Sequence, residues 1–265
     1  MAGGPSRRHQ GLAGKQHLDS LQALRLEADV HSPGPTLREL AVQALSSVER
    51  GYDLLAPKFD LTPFRTPDRI LDETAGALRA LGPFRHGLDV CCGTGAGARV
   101  LRELCGERVV GVDFSAGMLR EARRAHPGAG WVRADVRAMP FRPVFDLAVS
   151  FGAFGHFLPQ ERPGLFAQVH SALRPGGVFA FPVGAPPHFG TLPYWAMLGF
   201  DTVMRVRNRV WRPRFVMYYR TFPLGEVLTE LRQAGFDVEL TPLDGLGRRS
   251  DGTPRCAMVV ARRRA

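Results

Sequence analysis

From about residue 86 onward, short apolar runs alternate with stretches in which apolar positions recur every three or four residues. The runs predict strands at 87–91, 108–113, 130–134, 144–150, 177–182, 236–242 and 256–262. The stretches between them predict helices at 95–105, 116–125, 163–174 and 223–234. Strands separated by helices imply a mostly parallel sheet covered on both faces. The last two strands are joined by residues 243–255, which carry no helical spacing, so an antiparallel pair is expected at one edge.

Upstream the pattern is helical. Thr36 and Glu39 form a capping box, and Leu37, Leu40, Ala41, Leu45, Val48, Tyr52 and Leu55 continue at helical spacing, predicting one helix from Thr36. A second helix is expected to open at Thr66-Pro67, with the proline at its first position, and to end near Gly82-Pro83. Residues 1–35 are rich in Gly, Pro, Ser, Arg and His, with one apolar stretch at Leu18, Leu21, Leu24 and Leu26, and read as a mobile arm. The chain thus divides into an arm at 1–35, a helical cap at 36–83 and a main domain at 84–265. Inside the main domain, residues 183–222 are too long for a simple connection and are expected to form a lid.

Composition adds less. The 265 residues are 45 % apolar and 23 % charged, enough to build a sizeable core. No apolar run approaches the 18 or so residues of a membrane span, and no apolar run follows Arg7 and Arg8 as in a secretory signal, so no membrane partner is expected. Four cysteines without a CxxC spacing resemble neither a zinc site nor a disulfide framework, which suits a cytoplasmic setting. The net charge of +10 comes almost wholly from arginine, since only Lys15 and Lys58 are lysine and Asn208 is the single asparagine. Codon bias accounts for such a skew as well as nucleic-acid binding does, so the charge permits an RNA or an acidic partner without selecting one.

The chemistry concentrates in LDVCCGTGAGA, residues 88–98: a strand enters a glycine turn that opens a helix, so backbone N–H groups can approach a ligand closely. Gly93, Gly95 and Ala98 also satisfy the dinucleotide pattern GxGxxA, and Asp113, 18 residues after Gly95 at the end of the next strand, can take ribose hydroxyls in either cofactor class. Asp89 stands inside the first strand, where a carboxylate needs partners. Asp135 in ADVRAMPF ends the third strand, and LRPGGVFAF at 173–181 closes a helix before the fifth. As a set, Asp89 with the glycines, Asp113-Phe114-Ser115 with Met118-Leu119, Ala134-Asp135, Phe145-Asp146 and Leu173 to Gly177 resemble the class I S-adenosylmethionine-dependent methyltransferases. The resemblance is densest over about 84–182.

That resemblance implies a Rossmann-like α/β fold with seven strands in order 3-2-1-4-5-7-6, the seventh antiparallel, and S-adenosylmethionine as cofactor with S-adenosylhomocysteine as product. Cys91, Gly93, Thr94 and Gly95 would lie against its methionine part and Asp89 would organise the ammonium group. Asp113 would take the ribose, Phe114 and Met118 would cover the adenine, Asp135 and Val136 would read its edge, and Phe151 would line the methionine end. SFGAFGHF at 150–157 lacks the Pro-Pro motif of amino-group methylation of adenine or glutamine, and a single asparagine argues against a catechol-type magnesium site. Direct transfer without a metal follows. A base is needed only where the acceptor must lose a proton, and His156 and Tyr52 are the candidates. Nine aromatics and six arginines within 188–222 suit a planar or acidic small-molecule acceptor. The alternatives are an RNA methyltransferase gripping phosphates through the insertion and Arg262, Arg263 and Arg264, a non-catalytic S-adenosylmethionine-binding protein, and an NAD-dependent dehydrogenase.

Overall fold

The computed structural model describes residues 34–218 and 223–264. The expected arm at 1–35, with Leu18, Leu21, Leu24 and Leu26, lies outside the described residues up to position 33, as do Tyr219, Arg220 and Phe222 of the insertion.

Seven strands form one sheet: β1 (Phe84–Val90), β2 (Cys105–Asp113), β3 (Gly130–Arg133), β4 (Phe145–Val149), β5 (Leu173–Gly184), β6 (Phe236–Pro242) and β7 (Cys256–Arg263). Their order is β3-β2-β1-β4-β5-β7-β6, with β7 antiparallel to both neighbours and the other pairs parallel, as expected. The helices are α1 (Leu37–Leu45), α2 (Val48–Leu55), α3 (Asp68–Arg79), α4 (Ala96–Leu104), α5 (Ala116–Ala125), α6 (Arg162–Ala172), α7 (Leu192–Val210) and α8 (Leu224–Gln233).

Two cores explain why the central strands are apolar at consecutive positions. Phe179 and Phe181 of β5 and Ala148 of β4 pack with Phe166 and Val169 of α6 and Leu231 of α8. Their sequence neighbours Val178, Ala180 and Leu147 point the other way and pack with Leu71 and Leu78 of α3 and Leu101 of α4. A strand covered on both faces loses the apolar–polar alternation of a half-exposed one. Arg162, 1 % exposed at the start of α6, ties that helix to α8 by donating to Glu230 at 2.7 and 2.9 Å and to Glu226 at 2.9 Å.

Three details differ from the sequence reading. The single helix expected from Thr36 to Leu55 breaks at Ser46-Ser47. Ser46 is extended, and the Ser47 hydroxyl accepts the Arg50 N–H at 3.3 Å, starting a new helix. The capping box at Thr36 is present: Glu39 N–H donates to Thr36 Oγ1 at 3.2 Å, and Thr36 N–H to Glu39 Oε2 at 2.6 Å. Pro67 is extended (ψ 140°) and precedes α3 rather than opening it. Finally, the insertion is built around the 19-residue helix α7.

A third, smaller core joins the insertion to the N-terminal helices. Met204, Phe215, Met217 and Tyr218 pack with Val48, Tyr52 and Phe64. Tyr218 N–H donates to the carbonyl of Gly155, just beyond β4, at 2.8 Å. Both segments therefore meet at the carboxyl ends of the parallel strands.

Candidate functional site

A cavity of about 1090 Å³ opens at that end of the sheet. Its walls come from the turn after β1 (Cys91–Ala96), Asp113 and Phe114 after β2, Met118 on α5, the segment 151–157 after β4, and the cap residues Tyr52, Phe59 and Asp60. Small-molecule pockets usually span about 300–1,000 Å³, so this one has room for a cofactor and an acceptor together.

The turn is shaped by backbone conformations that few residues adopt. Gly93 (φ 50°) and Gly95 (φ 100°) are left-handed, and a Cβ on Gly95 would come within 2.7 Å of the His126 ring. Cys91 (φ 57°) is the one non-glycine residue with positive φ among the described residues, the kind of strain that concentrates where a chain must present its backbone to a ligand. Burial pushes the Cys91 and Cys92 thiols well above the ordinary range, so neither serves as a nucleophile near neutral pH.

Asp113 holds the turn from the side. One carboxylate oxygen accepts Gly93 N–H and the other Ser115 N–H, both at 2.9 Å. Desolvation nevertheless raises its pKa, since only 6 % of the residue is exposed. Asp89 sits below the turn, not in the cavity wall. Its carboxylate accepts Ala98 N–H at 2.8 Å, a Cβ on Gly97 would collide with it, and burial pushes its pKa up to about 8. It shapes the turn from beneath and does not itself face the cavity, where the sequence expectation had it organising a ligand ammonium group.

Phe114, Met118 and Phe151 line the cavity together with Cys91, Gly93, Thr94 and Gly95. Asp135 and Val136 do not. Val136 is buried in the core. The carboxylate of Asp135 is exposed and taken by Arg137, whose guanidinium donates to it at 2.6–3.0 Å and holds its pKa down.

Tyr52 and His156 meet 104 positions apart in sequence, with Tyr52 Oη 2.7 Å from His156 Nε2. His156 Nδ1 lies 2.7 Å from the Val216 carbonyl, which can only accept, so Nδ1 carries a proton. Desolvation lowers the pKa of this ring, leaving it neutral near pH 7, and Nε2 then accepts the Tyr52 O–H. Both side chains line the cavity.

Two acids escaped the sequence reading although both stand in YDLLAPKFD beside Tyr52. Asp53 accepts the Ser115 hydroxyl at 2.6 Å and Gly117 N–H at 2.7 Å, fastening α2 to the start of α5. Asp60 accepts the Thr94 hydroxyl at 2.8 Å, fastening the cap to the glycine turn. Two acids seven residues apart in a segment otherwise apolar but for Lys58 were the available signal.

Among the described residues, the aromatics of the insertion do not form the expected acceptor wall. None of Phe189, Tyr194, Trp195, Phe200, Trp211, Phe215 or Tyr218 borders the cavity, to which Met217 contributes instead. Phe215 and Tyr218 are spent in the third core, and Phe189, Tyr194 and Trp195 cluster with each other. The arginines of the tail are likewise engaged: Arg262 donates to the Gly176 carbonyl at 3.0 Å, Arg263 to that of His170 at 3.0 Å, and Arg264 to Asp237 at 2.9 Å. Because β7 runs antiparallel, they lie at the end of the sheet away from the cavity.

Residues 88–177 match the family model described as a methyltransferase domain. The chain is 44 % identical over 95 residues to a trans-aconitate 2-methyltransferase from Azoarcus, covering 35 % of this chain and 36 % of that one. It is 30 % identical over 148 residues to a demethylmenaquinone methyltransferase from Renibacterium salmoninarum, covering 52 % and 59 %. It thus spans about a third to three fifths of the length of these relatives. A solved S-adenosylmethionine-dependent methyltransferase from Mesorhizobium loti is 27 % identical with a TM-score of 0.50, covering 73 % of this chain and 100 % of that one.

Proposed function

We propose that this chain, which belongs to the class I S-adenosylmethionine-dependent methyltransferases, transfers a methyl group directly to a small organic acceptor held against Tyr52 and His156. The observation that carries this reading is the cavity itself, walled on one side by the glycine turn with Asp113 and on another by the Tyr52–His156 pair.

S-adenosylmethionine, when bound, supplies a methyl group already activated on a sulfonium. The residues fit it: Gly93 leaves open space where a Cβ would stand, and Asp113 has acceptor capacity left beyond its two backbone N–H bonds for ribose hydroxyls. Phe114 and Met118 offer the flat apolar surface an adenine needs, and Phe151 with Cys91 and Thr94 borders the methionine end. Asp135, held by Arg137, is the weakest member of this set.

The chain's own work is alignment, exclusion of water and control of one proton. Tyr52 Oη donates to His156 Nε2 and, as a phenol oxygen facing the cavity, can also accept from an acceptor's O–H or N–H. As that proton arrives at Tyr52 Oη, the phenol's own proton passes to Nε2, and the Val216 carbonyl stabilises the resulting imidazolium through Nδ1–H. No step in this reading needs a metal. Phe64, Ile70, Leu246 and Met217 give the acceptor end apolar walls, and Arg255 borders it with no carboxylate partner among the described residues. Such a lining favours an acceptor with an apolar or planar body and an acidic group.

Release of S-adenosylhomocysteine measured across a panel of carboxylic acids and quinols tests the reading. Tyr52→Phe should lower turnover of the best acceptor by roughly 10²-fold while leaving cofactor affinity intact. Unchanged turnover would remove the pair from the chemistry, and cofactor binding without turnover of any acceptor would defeat methyl transfer itself.

A further inference from the structure

Helix α7 turns an apolar stripe toward solvent. At 100° per residue Leu192, Ala196, Gly199, Val203, Val206 and Val210 fall within one narrow sector. Leu192 is 81 % exposed, Val203 65 %, Val206 58 % and Val210 76 %. The opposite face, with Asp201, Met204 and Asn208, is the one buried against the protein. At the amino end of the stripe the exposed Phe189 and Trp195 cluster with the half-buried Tyr194, ring centroids 5.1–6.1 Å apart. A contiguous apolar surface of this extent marks a contact site.

The charge beside the stripe has one sign. Residues 183–218 contain five arginines and one acid, Asp201, which is buried. Arg207 is spent on the Pro213 and Ser46 carbonyls and Arg205 lies 4.3 Å above the Tyr218 ring. Arg209, Arg212 and Arg214 are exposed and pair with no carboxylate among the described residues. An apolar stripe, flanking arginines and aromatic rings at one end are the parts of a helix that lies in the plane of an anionic bilayer surface.

We propose that α7 is a membrane-contacting helix that docks this protein on anionic lipid. That no described helix is long and apolar enough to cross a membrane concerns spanning and leaves interfacial contact open. Parallel two-fold pairing of two copies along the stripe would bring the same arginines together with no exposed acid in the segment to offset them, and an antiparallel pair, which would keep them apart, is read by the oligomeric state in the test below. The inference stands independently of the acceptor's identity.

The test is co-sedimentation of the full chain with extruded vesicles of phosphatidylcholine alone or with 30 mol % phosphatidylglycerol, with light scattering to give the oligomeric state. The wild type should sediment with the anionic vesicles, about tenfold or more tightly than with the neutral ones, and lose that preference at high salt. Val203→Asp/Val206→Asp should abolish sedimentation. Each of Arg209→Gln, Arg212→Gln and Arg214→Gln should weaken it about fivefold. All five positions are exposed, so melting temperatures should stay near that of the wild type. Failure to bind anionic vesicles, binding that the substitutions leave unchanged, or a dimer that Val203→Asp/Val206→Asp dissociates would each overturn the proposal, the last by assigning the stripe to a second copy.

Discussion

Tyr52 and His156 show how a pair can be assembled from residues that are unremarkable singly. Each was identifiable in the sequence only as a candidate, because their 2.7 Å contact depends on α2 folding back over the segment after β4. The pair makes a prediction in pH. His156 has its pKa lowered by burial, so it stays neutral through the neutral range and gains a proton only below the ordinary histidine value. Turnover should therefore fall on acidification as Nε2 loses its acceptor role, and a pH–rate profile of His156→Asn should lack that limb. Asp89 makes a second prediction, of opposite kind. Its folded pKa of about 8 lies above the unfolded carboxylate value, so its contribution to stability is complete below about pH 4 and is lost as pH rises through 8. Asp89→Asn cannot ionise; the melting temperature of wild type minus that of the variant should decline across that window, and a flat difference would mean the site is less dehydrated than its burial indicates. Asp135 shows the limit of reading single positions: an acid stands at the end of β3, but a guanidinium two residues later occupies it.

Among the elements, those of the sheet were legible because each strand is a short apolar run bounded by glycine, proline or charge, and the order followed from the family resemblance. The helix break at Ser46-Ser47 was not legible, since apolar residues on α1 and α2 keep helical spacing straight across it. Helix α7 was missed because apolar residues stand on both of its faces, the outward valines and the inward Phe200 and Met204, so no single apolar stripe marks it. Contacts between elements carry the stability predictions. Arg162→Ala would leave Glu230, itself only 17 % exposed in its side chain, without its partner between α6 and α8. The loss should be about 3–5 kcal/mol, as for other broken buried pairs, read as a lower midpoint in urea. Phe215→Ala should cost about as much by emptying the third core, in which Phe215 is 2 % exposed. Cap and insertion share that core, so the variant should also raise the KM for S-adenosylmethionine, whereas Arg162→Ala, farther from the cavity, should leave it nearly unchanged.

At the scale of the whole molecule, the parallel sheet gathers distant segments at one end. The residues after β1, β2 and β4 open there, in the crevice where open α/β sheets bind their ligands, and the cap closes over it through Asp53, Asp60 and Tyr52. The half of the cavity built from the glycine turn and the end of β2 was legible because its residues cluster in two short motifs that a turn and a strand end require. The opposite half was not, because its walls come from five separated segments, and the described part of the aromatic-rich insertion is used for packing and for surface. The central claim is that this crevice holds S-adenosylmethionine with Asp113 at its ribose, and isothermal titration with S-adenosylhomocysteine tests it most directly. One molecule should bind per chain, Asp113→Ala should weaken binding by about tenfold or more through the loss of one or two charge-assisted hydrogen bonds, and NAD should give no heat. Equal affinity in wild type and variant, or binding of NAD in place of S-adenosylhomocysteine, would contradict the account.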